Sequence, residues 1–245
     1  MMFSPLKSAL QGPMPIDLLW LAMGSVAVAE FAAYAAPGAV VLDLQHGLWE
    51  RTTLEAAVAA IGIRAPVIAR CADNSPSVIS QALDAGASSV LVPLIETVDD
   101  ARRAVSAGRY PPVGTRSAGG VRPLLGGIDA MLEADRHVAI GLLIETVQGV
   151  DNVEEIAAVP GVDYLFIGTG DLSLSRGTAD ADVLGRDCAR ILAAARAHGL
   201  PCGIFTHDAQ AARKAFGDGY RMAVAAGDIG LLKHGFAAAC AAARP

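Results

Sequence analysis

Residues 138–171 read VAIGLLIETVQGVDNVEEIAAVPGVDYLFIGTGD. Two apolar runs, 138–145 and 163–167, flank a segment of helical length, and each run gives way to polar residues. A strand that is apolar at every position is buried on both faces, as in parallel sheets covered by helices. The intervening segment is long enough for one crossover helix, so this stretch forms a βαβ unit.

The pattern recurs outward in both directions. Apolar runs occupy 17–22, 39–44, 66–70 and 89–93 on one side, and 202–205 and 220–224 on the other. Eight such strands invite closure into a (β/α)8 TIM barrel of the α/β class, and 245 residues suit one barrel domain spanning 1–245. Hydrophobic residues make up 53% of the chain and aromatics only 5%, so small aliphatics must fill the core. One connection is much longer than the rest. It contains RYPPVGTRSAGGVRPLLGG at 109–127, whose prolines and glycines predict a long loop at the barrel mouth.

Composition also excludes function classes. The net charge is -6 and no Lys/Arg stripe is present, which argues against nucleic acid as a partner. Cys71, Cys188, Cys202 and Cys240 form no CxxC pair, so reduced thiols are expected rather than a thiolate metal site. The apolar stretch 16–36 contains Asp17, Gly24 and Glu30 and follows no basic leader with a cleavage site. No membrane partner and a cytoplasmic location are therefore expected.

In a barrel of this kind the carboxyl ends of the strands line the active site. The residues there are Asp43-Leu44-Gln45-His46-Gly47, Arg70, Glu145-Thr146 and Gly168-Thr169-Gly170-Asp171. Glu145 and Asp171 offer hard oxygen ligands with no histidine or cysteine at metal-ligand spacing, which suits Mg2+, Mn2+ or Co2+. A small 2-oxo acid could bind such a cation through its carboxylate and ketone oxygens, and the cation would stabilise an enolate. Arg70 can stabilise charge developing on oxygen. His46 belongs to the residue type that titrates near neutrality and could shuttle a proton through water.

Structural alternatives stand beside each role. The two acids could be buried partners of arginines, His46 a strand-end histidine bonded to backbone, and Arg70 an ion pair. Gly168-Thr169-Gly170 lacks the lysine and glycine spacing of a phosphate loop. His207-Asp208 follows the seventh run and could sit at the mouth, but it reads better as a helix start capped by the aspartate. The alanine-rich tail, 236–244, reads as a packing helix.

The chain resembles the HpcH/HpaI family of metal-dependent pyruvate aldolases, relatives of the citrate lyase β subunit. The resemblance is carried by LDLQHG at 42–47, PVIAR at 66–70, ALDAGASSVLVPLIET at 82–97, RYPPVGTR at 109–116, LLIET at 142–146 and GVDYLFIGTGDLSLS at 161–175. It implies a barrel of the phosphoenolpyruvate/pyruvate type and a class II mechanism, in which a divalent cation rather than a lysine stabilises the pyruvate enolate. By motif, Glu145 and Asp171 become the metal ligands, Arg70 the pyruvate-binding and transition-state group, and His46 the acid/base residue. Asp84 matches the aspartate that pairs with this histidine, across a subunit contact. The backbone around Gly170 would hold the pyruvate carboxylate. A homo-oligomer is also implied, a hexamer built as a trimer of dimers.

Two positions depart from the family pattern. Gln45 replaces a frequent glutamate before the histidine, and Leu143 replaces a frequent glutamine two residues before Glu145. Gln45 and Arg122 are then candidates for contacting the substrate. Three functions remain compatible with these residues: aldol chemistry between a pyruvate enolate and an aldehyde, condensation of acetyl-CoA with oxaloacetate as in siderophore citrate synthases, and non-catalytic binding of an organic acid.

Overall fold

The structure, a computed structural model, describes residues 6–244. Its strands are β1 (Ile16–Leu21), β2 (Ala39–Asp43), β3 (Val67–Arg70), β4 (Ser89–Val92), β5 (Ala139–Ile144), β6 (Tyr164–Ile167), β7 (Cys202–Ile204) and β8 (Met222–Gly227). Each pairs in parallel with the next, and β8 pairs with β1, so the sheet closes into an eight-stranded barrel surrounded by helices. All eight coincide with the apolar runs, shifted by one to three residues at their ends. The largest shift is at β8, which continues to Gly227 through small residues that carry little apolar signal.

Alternation along the strands builds two cores. Leu18, Val41, Ile68, Leu91, Leu143, Tyr164, Phe166 and Val224 fill the barrel interior. Their neighbours Val40, Leu42, Ala69, Val90, Leu142 and Leu165 face outward against the helices. Because side chains alternate with a period of two, this parity fixes which residue at each strand end points inward. Tyr164 occupies the middle of the interior, where its ring lies over Gly141. A Cβ at Gly141 would sit 2.1 Å from Cζ of Tyr164, so only glycine fits there. The tyrosine hydroxyl is 3.0 Å from Oγ of Ser89, which satisfies both groups in an otherwise apolar layer.

The helix Leu6–Gln11 precedes β1 and covers the amino-terminal end of the barrel. The sequence reading had no element there. Leu6 and Leu10 are buried in the interior cluster, and Lys7 pairs with Asp163 at 2.8 Å.

The long connection lies at the opposite end from the one expected. It leaves the helix Val98–Ala107 and leads into β5, so it is an αβ connection and belongs to the amino-terminal face. Arg109, at its start, pairs at 2.9 Å with Asp163, which immediately precedes β6. From Val121 the chain is helical, as Val121–His137, with a kink at Gly127. The glycines and prolines of 109–120 form the expected turn, but 121–127 is helical rather than loop, and the face follows from the helix-to-strand direction, which composition does not encode.

The apolar stretch 16–36 divides into β1 and the helix Val26–Tyr34. Among the described residues no helix is long and apolar enough to cross a membrane. The segment 236–244 continues the helix Asp228–Ala242, where Phe236 is exposed. Asp208 caps the helix Ala209–Asp218, accepting the Ala211 amide at 2.8 Å. The four cysteines are unpaired thiols.

Candidate active site

Parity brings Trp20, Asp43, Arg70, Glu145 and Gly168 to the carboxyl-terminal mouth, each two residues beyond an interior position. Arg70 is the hub. Its Nη1 lies 3.2 Å from Oδ2 of Asp43, and its Nη2 lies 3.9 Å from Oε2 of Glu145 and 3.8 Å from Oδ2 of Asp171. The guanidinium also stands 5.5 Å from the Trp20 ring centroid, a cation–π contact that adds an apolar floor to a charged group.

Asp43 is a fully employed carboxylate. Oδ2 accepts the Trp20 indole N–H at 3.0 Å as well as Arg70, and Oδ1 accepts the amides of Gln45 and His46 at 3.0 and 3.1 Å. It thus orients the guanidinium and shapes the turn that carries His46. The sequence reading placed Asp43 at the strand end but gave it no role; its inward parity with Val41 was the available signal.

Glu145 and Asp171 are differently situated. Glu145 is buried, and burial pushes its carboxyl up to about 7, against the Leu94 amide and Arg70, which favour the charged form. Oε1 accepts the Leu94 N–H at 2.9 Å, while the buried Oε2 has no hydrogen-bond partner. Asp171, in the first turn of the helix Thr169–Arg176, is 42% exposed at its side chain. The chain approaches closely at Gly168, where a Cβ would lie 2.5 Å from Oε2 of Glu145. Leu143, one interior layer below Glu145, supplies an apolar floor where a polar residue was expected from the family pattern.

The donor set fits a divalent cation. Asp43 already neutralises Arg70, and the two remaining carboxylates lie too far from the guanidinium to hydrogen-bond it. Among the described residues no group of three or more His, Cys, Asp or Glu is placed to hold a metal. Two oxygen ligands that leave positions for water or substrate suit Mg2+-like ions better than a structural site.

The other candidates are dispersed. The side chain of His46 is exposed at the rim, and Gln45 beside it is half-buried. Gly170 is exposed in the first turn of its helix. Phe205, after β7, stands edge-on to Trp20 at 5.2 Å, and His207 stands edge-on to Phe205 at 5.7 Å, forming an aromatic wall of which the sequence singles out only His207. Asp84 and Arg122 are not at this mouth. Asp84 ends the helix Pro76–Asp84, which descends from β3 to the amino-terminal face, and it pairs with Arg116 at 2.7 Å. Arg122 donates to the carbonyls of Ala85, just after that helix, and of Glu55, within the helix Arg51–Ile61. Both residues border a groove of about 540 Å³ between the Asp84 turn and the kinked helix. That groove lies away from the mouth and shares none of its residues with the cluster around Arg70.

A profile of the HpcH/HpaI aldolase/citrate lyase family matches residues 17–235. The chain belongs to this family. It is 35% identical over 240 residues to the hydroxypyruvate/pyruvate aldolase of Paraburkholderia phytofirmans, covering 92% of each chain. It is 37% identical over 210 residues to the 4-hydroxy-2-oxovalerate aldolase of Novosphingobium aromaticivorans, covering 82% of this chain and 80% of that one. Among solved structures, an HpcH/HpaI aldolase/citrate lyase family protein from Burkholderia cenocepacia J2315 superposes with a TM-score of 0.91, at 34% identity over 98% of both chains. The citrate synthase SbnG superposes with a TM-score of 0.86 at 26% identity, over 97% of this chain and 96% of that one. Within the HpcH/HpaI family, the aldolases are therefore the nearer of these relatives in sequence.

Proposed function

We propose that this chain is a metal-dependent class II pyruvate aldolase, a carbon–carbon lyase acting on a 4-hydroxy-2-oxo acid. The observation that carries this reading is the pair Glu145 and Asp171, facing Arg70 with an unpartnered Oε2. These two residues would hold Mg2+, Mn2+ or Co2+, and the cation, when bound, supplies positive charge that stabilises an enolate.

The chain's own residues account for the remaining work. In cleavage, the C4 hydroxyl loses its proton, the C3–C4 bond breaks, and its electron pair passes to the pyruvate fragment as an aldehyde departs. Arg70 offers fixed cationic donors to the oxygen on which charge develops, and Asp43 holds it in place. His46 carries the proton through water. Backbone amides around Gly170, at a helix start, hold the substrate carboxylate. Trp20 and Phe205 exclude water beside Arg70.

Asp84 completes the site only in a second copy. It lies on the amino-terminal face and His46 at the carboxyl-terminal rim, so within one chain the barrel separates them. Their pairing belongs to a homo-oligomer, a hexamer assembled as a trimer of dimers, working in the cytoplasm.

The test is exchange of the pyruvate methyl protons in deuterated buffer, followed by NMR with chelated enzyme and with added Mn2+ or Mg2+. Exchange that needs the metal and disappears in Glu145→Gln is expected. Absence of exchange, with citrate formed from acetyl-CoA and oxaloacetate, would replace the aldolase reading with that of a citrate synthase. Absence of both activities would leave a binding barrel.

A further inference from the structure

We propose that Leu94 is a positioning residue whose left-handed backbone presents its amide to Glu145 and so selects Oε2 as the oxygen that meets the cation. The proposal rests on the metal reading of Glu145 and deepens it. Leu94 has φ 53°, a conformation that side chains with a Cβ adopt rarely, and its side chain is half exposed. Burial of the leucine therefore does not explain the backbone.

The surrounding register does. Val92 of β4 pairs with Leu142 of β5, yet the next contact, the Ile95 amide to the Leu143 carbonyl at 3.3 Å, comes three residues later on one strand and one residue later on the other. Elsewhere in the sheet such an amide lies one residue past the paired position, as in Leu44 N to Arg70 O beside the pair Asp43–Arg70, so Leu94 stands opposite Leu143 and the chain bulges by one extra residue between two points of attachment. Bulges re-aim groups beside active sites. Here the bulge turns the Pro93–Leu94 peptide so that its N–H meets Oε1 of Glu145 at 2.9 Å. On the other side of the same carboxylate, Gly168 leaves room for Oε2, which is buried and has no hydrogen-bond partner. One oxygen is tied and one is left free, which pre-sets a single-oxygen contact.

Substitutions at position 94 separate backbone from side chain. Glycine and asparagine accept a positive φ readily, whereas valine, with its branched Cβ, does not. Mn2+ binding to the purified proteins, measured by calorimetry, should be within about twofold of wild type in Leu94→Gly and Leu94→Asn. In Leu94→Val it should weaken roughly 10- to 100-fold, the range for losing a partner that orients a metal ligand. Thermal unfolding of the metal-free variants is the second readout, because a merely structural role would lower Tm without this ranking of Mn2+ affinities. Wild-type affinity in Leu94→Val, or equal losses in the glycine and valine variants, would overturn the proposal. The reading beneath it is tested separately: Mn2+ bound equally by wild type and Glu145→Gln would overturn the assignment of Glu145 as a ligand, whatever happens at position 94.

Discussion

The two ends of the barrel carry opposite kinds of surface. At the carboxyl-terminal mouth, charged side chains from β2, β3 and β5 and from the helix after β6 converge on Arg70 and are mostly buried. At the amino-terminal end, the connection 109–120 and the helix Val121–His137 leave Val121, Leu124, Leu125 and Ile128 exposed beside a groove bordered by Asp84 and Arg122. The first surface brings three carboxylates, Asp43, Glu145 and Asp171, around the single guanidinium of Arg70. The second has its apolar side chains in water, which marks it for contact with another protein surface. On the proposed function, chemistry falls to one face and assembly to the other, a division that can be tested from either side.

The largest effect is expected at the hub. Arg70→Ala should lower kcat/KM for aldol cleavage by roughly 10²–10³-fold or more, the scale for losing a donor to a developing oxyanion. Circular dichroism should be unchanged. Arg70→Lys should recover little, since a point charge cannot span Asp43 and the reacting oxygen as a guanidinium does. A normal kcat/KM in Arg70→Ala would move the catalytic centre away from this mouth.

Glu145 comes next, and its effect depends on pH. Burial raises its carboxyl in the folded protein to about 7, from an ordinary value near 4.5. Below 4.5 both folded and unfolded chains are protonated there, and the group contributes nothing to the pH dependence of stability. Between 4.5 and 7 the unfolded chain has lost the proton that the folded one retains, so metal-free stability falls as pH rises, by roughly 3 kcal/mol in all, and levels off above 7. Metal binding runs the other way. Mn2+ must displace this proton below pH 7, so affinity should rise about tenfold per pH unit up to that point and then flatten. Glu145→Gln should remove both trends, as read by chemical unfolding and Mn2+ calorimetry. A pH-independent Mn2+ affinity in wild type would mean that the metal displaces no proton from Glu145.

The contrast between the faces also explains what the sequence could disclose. The eight strands were legible because a buried parallel strand is apolar at every position, and the mouth residues because each follows such a run. Asp43 and Trp20 needed one further step, the in-and-out parity of the finished barrel. Leu94 was beyond reach, since neither leucine nor its neighbours announce a positive φ. The connection at 109–127 went to the wrong face because Pro and Gly reveal a turn without its direction. Asp84 was legible only through the family likeness, because a residue proposed to act on another copy would leave no trace of its partner in its own chain.

Mixing variants asks whether the faces meet. His46→Ala and Asp84→Ala should each reduce turnover severely when made alone. In a dimer with a two-fold interface, each site would take His46 from one copy and Asp84 from the other. A mixed dimer of the two variants then has one site carrying both substitutions and one carrying neither. Co-expressed chains should regain a measurable part of wild-type activity that separately purified variants lack. Failure to complement, with mixed dimers demonstrated by tagged co-purification, would confine His46 and Asp84 to unrelated roles.

Arg122→Ala should have the smallest effect, and it separates two jobs proposed for one residue. Its guanidinium donates to the Ala85 and Glu55 carbonyls, tying the start of the kinked helix to the turn after Asp84 and to the helix Arg51–Ile61. Loss of those bonds should cost on the order of 1–3 kcal/mol in unfolding experiments. Pyruvate methyl exchange per assembled site should be unchanged, because the enolate half of the reaction takes place at the other face. If Arg122 instead enters the mouth of a second copy as a cationic contact, the variant should lose rate with anionic aldehydes while retaining rate with neutral ones. Equal ratios for the two acceptor classes would assign Arg122 to holding the amino-terminal face together, leaving Phe205 and His207 as the nearest determinants of acceptor choice.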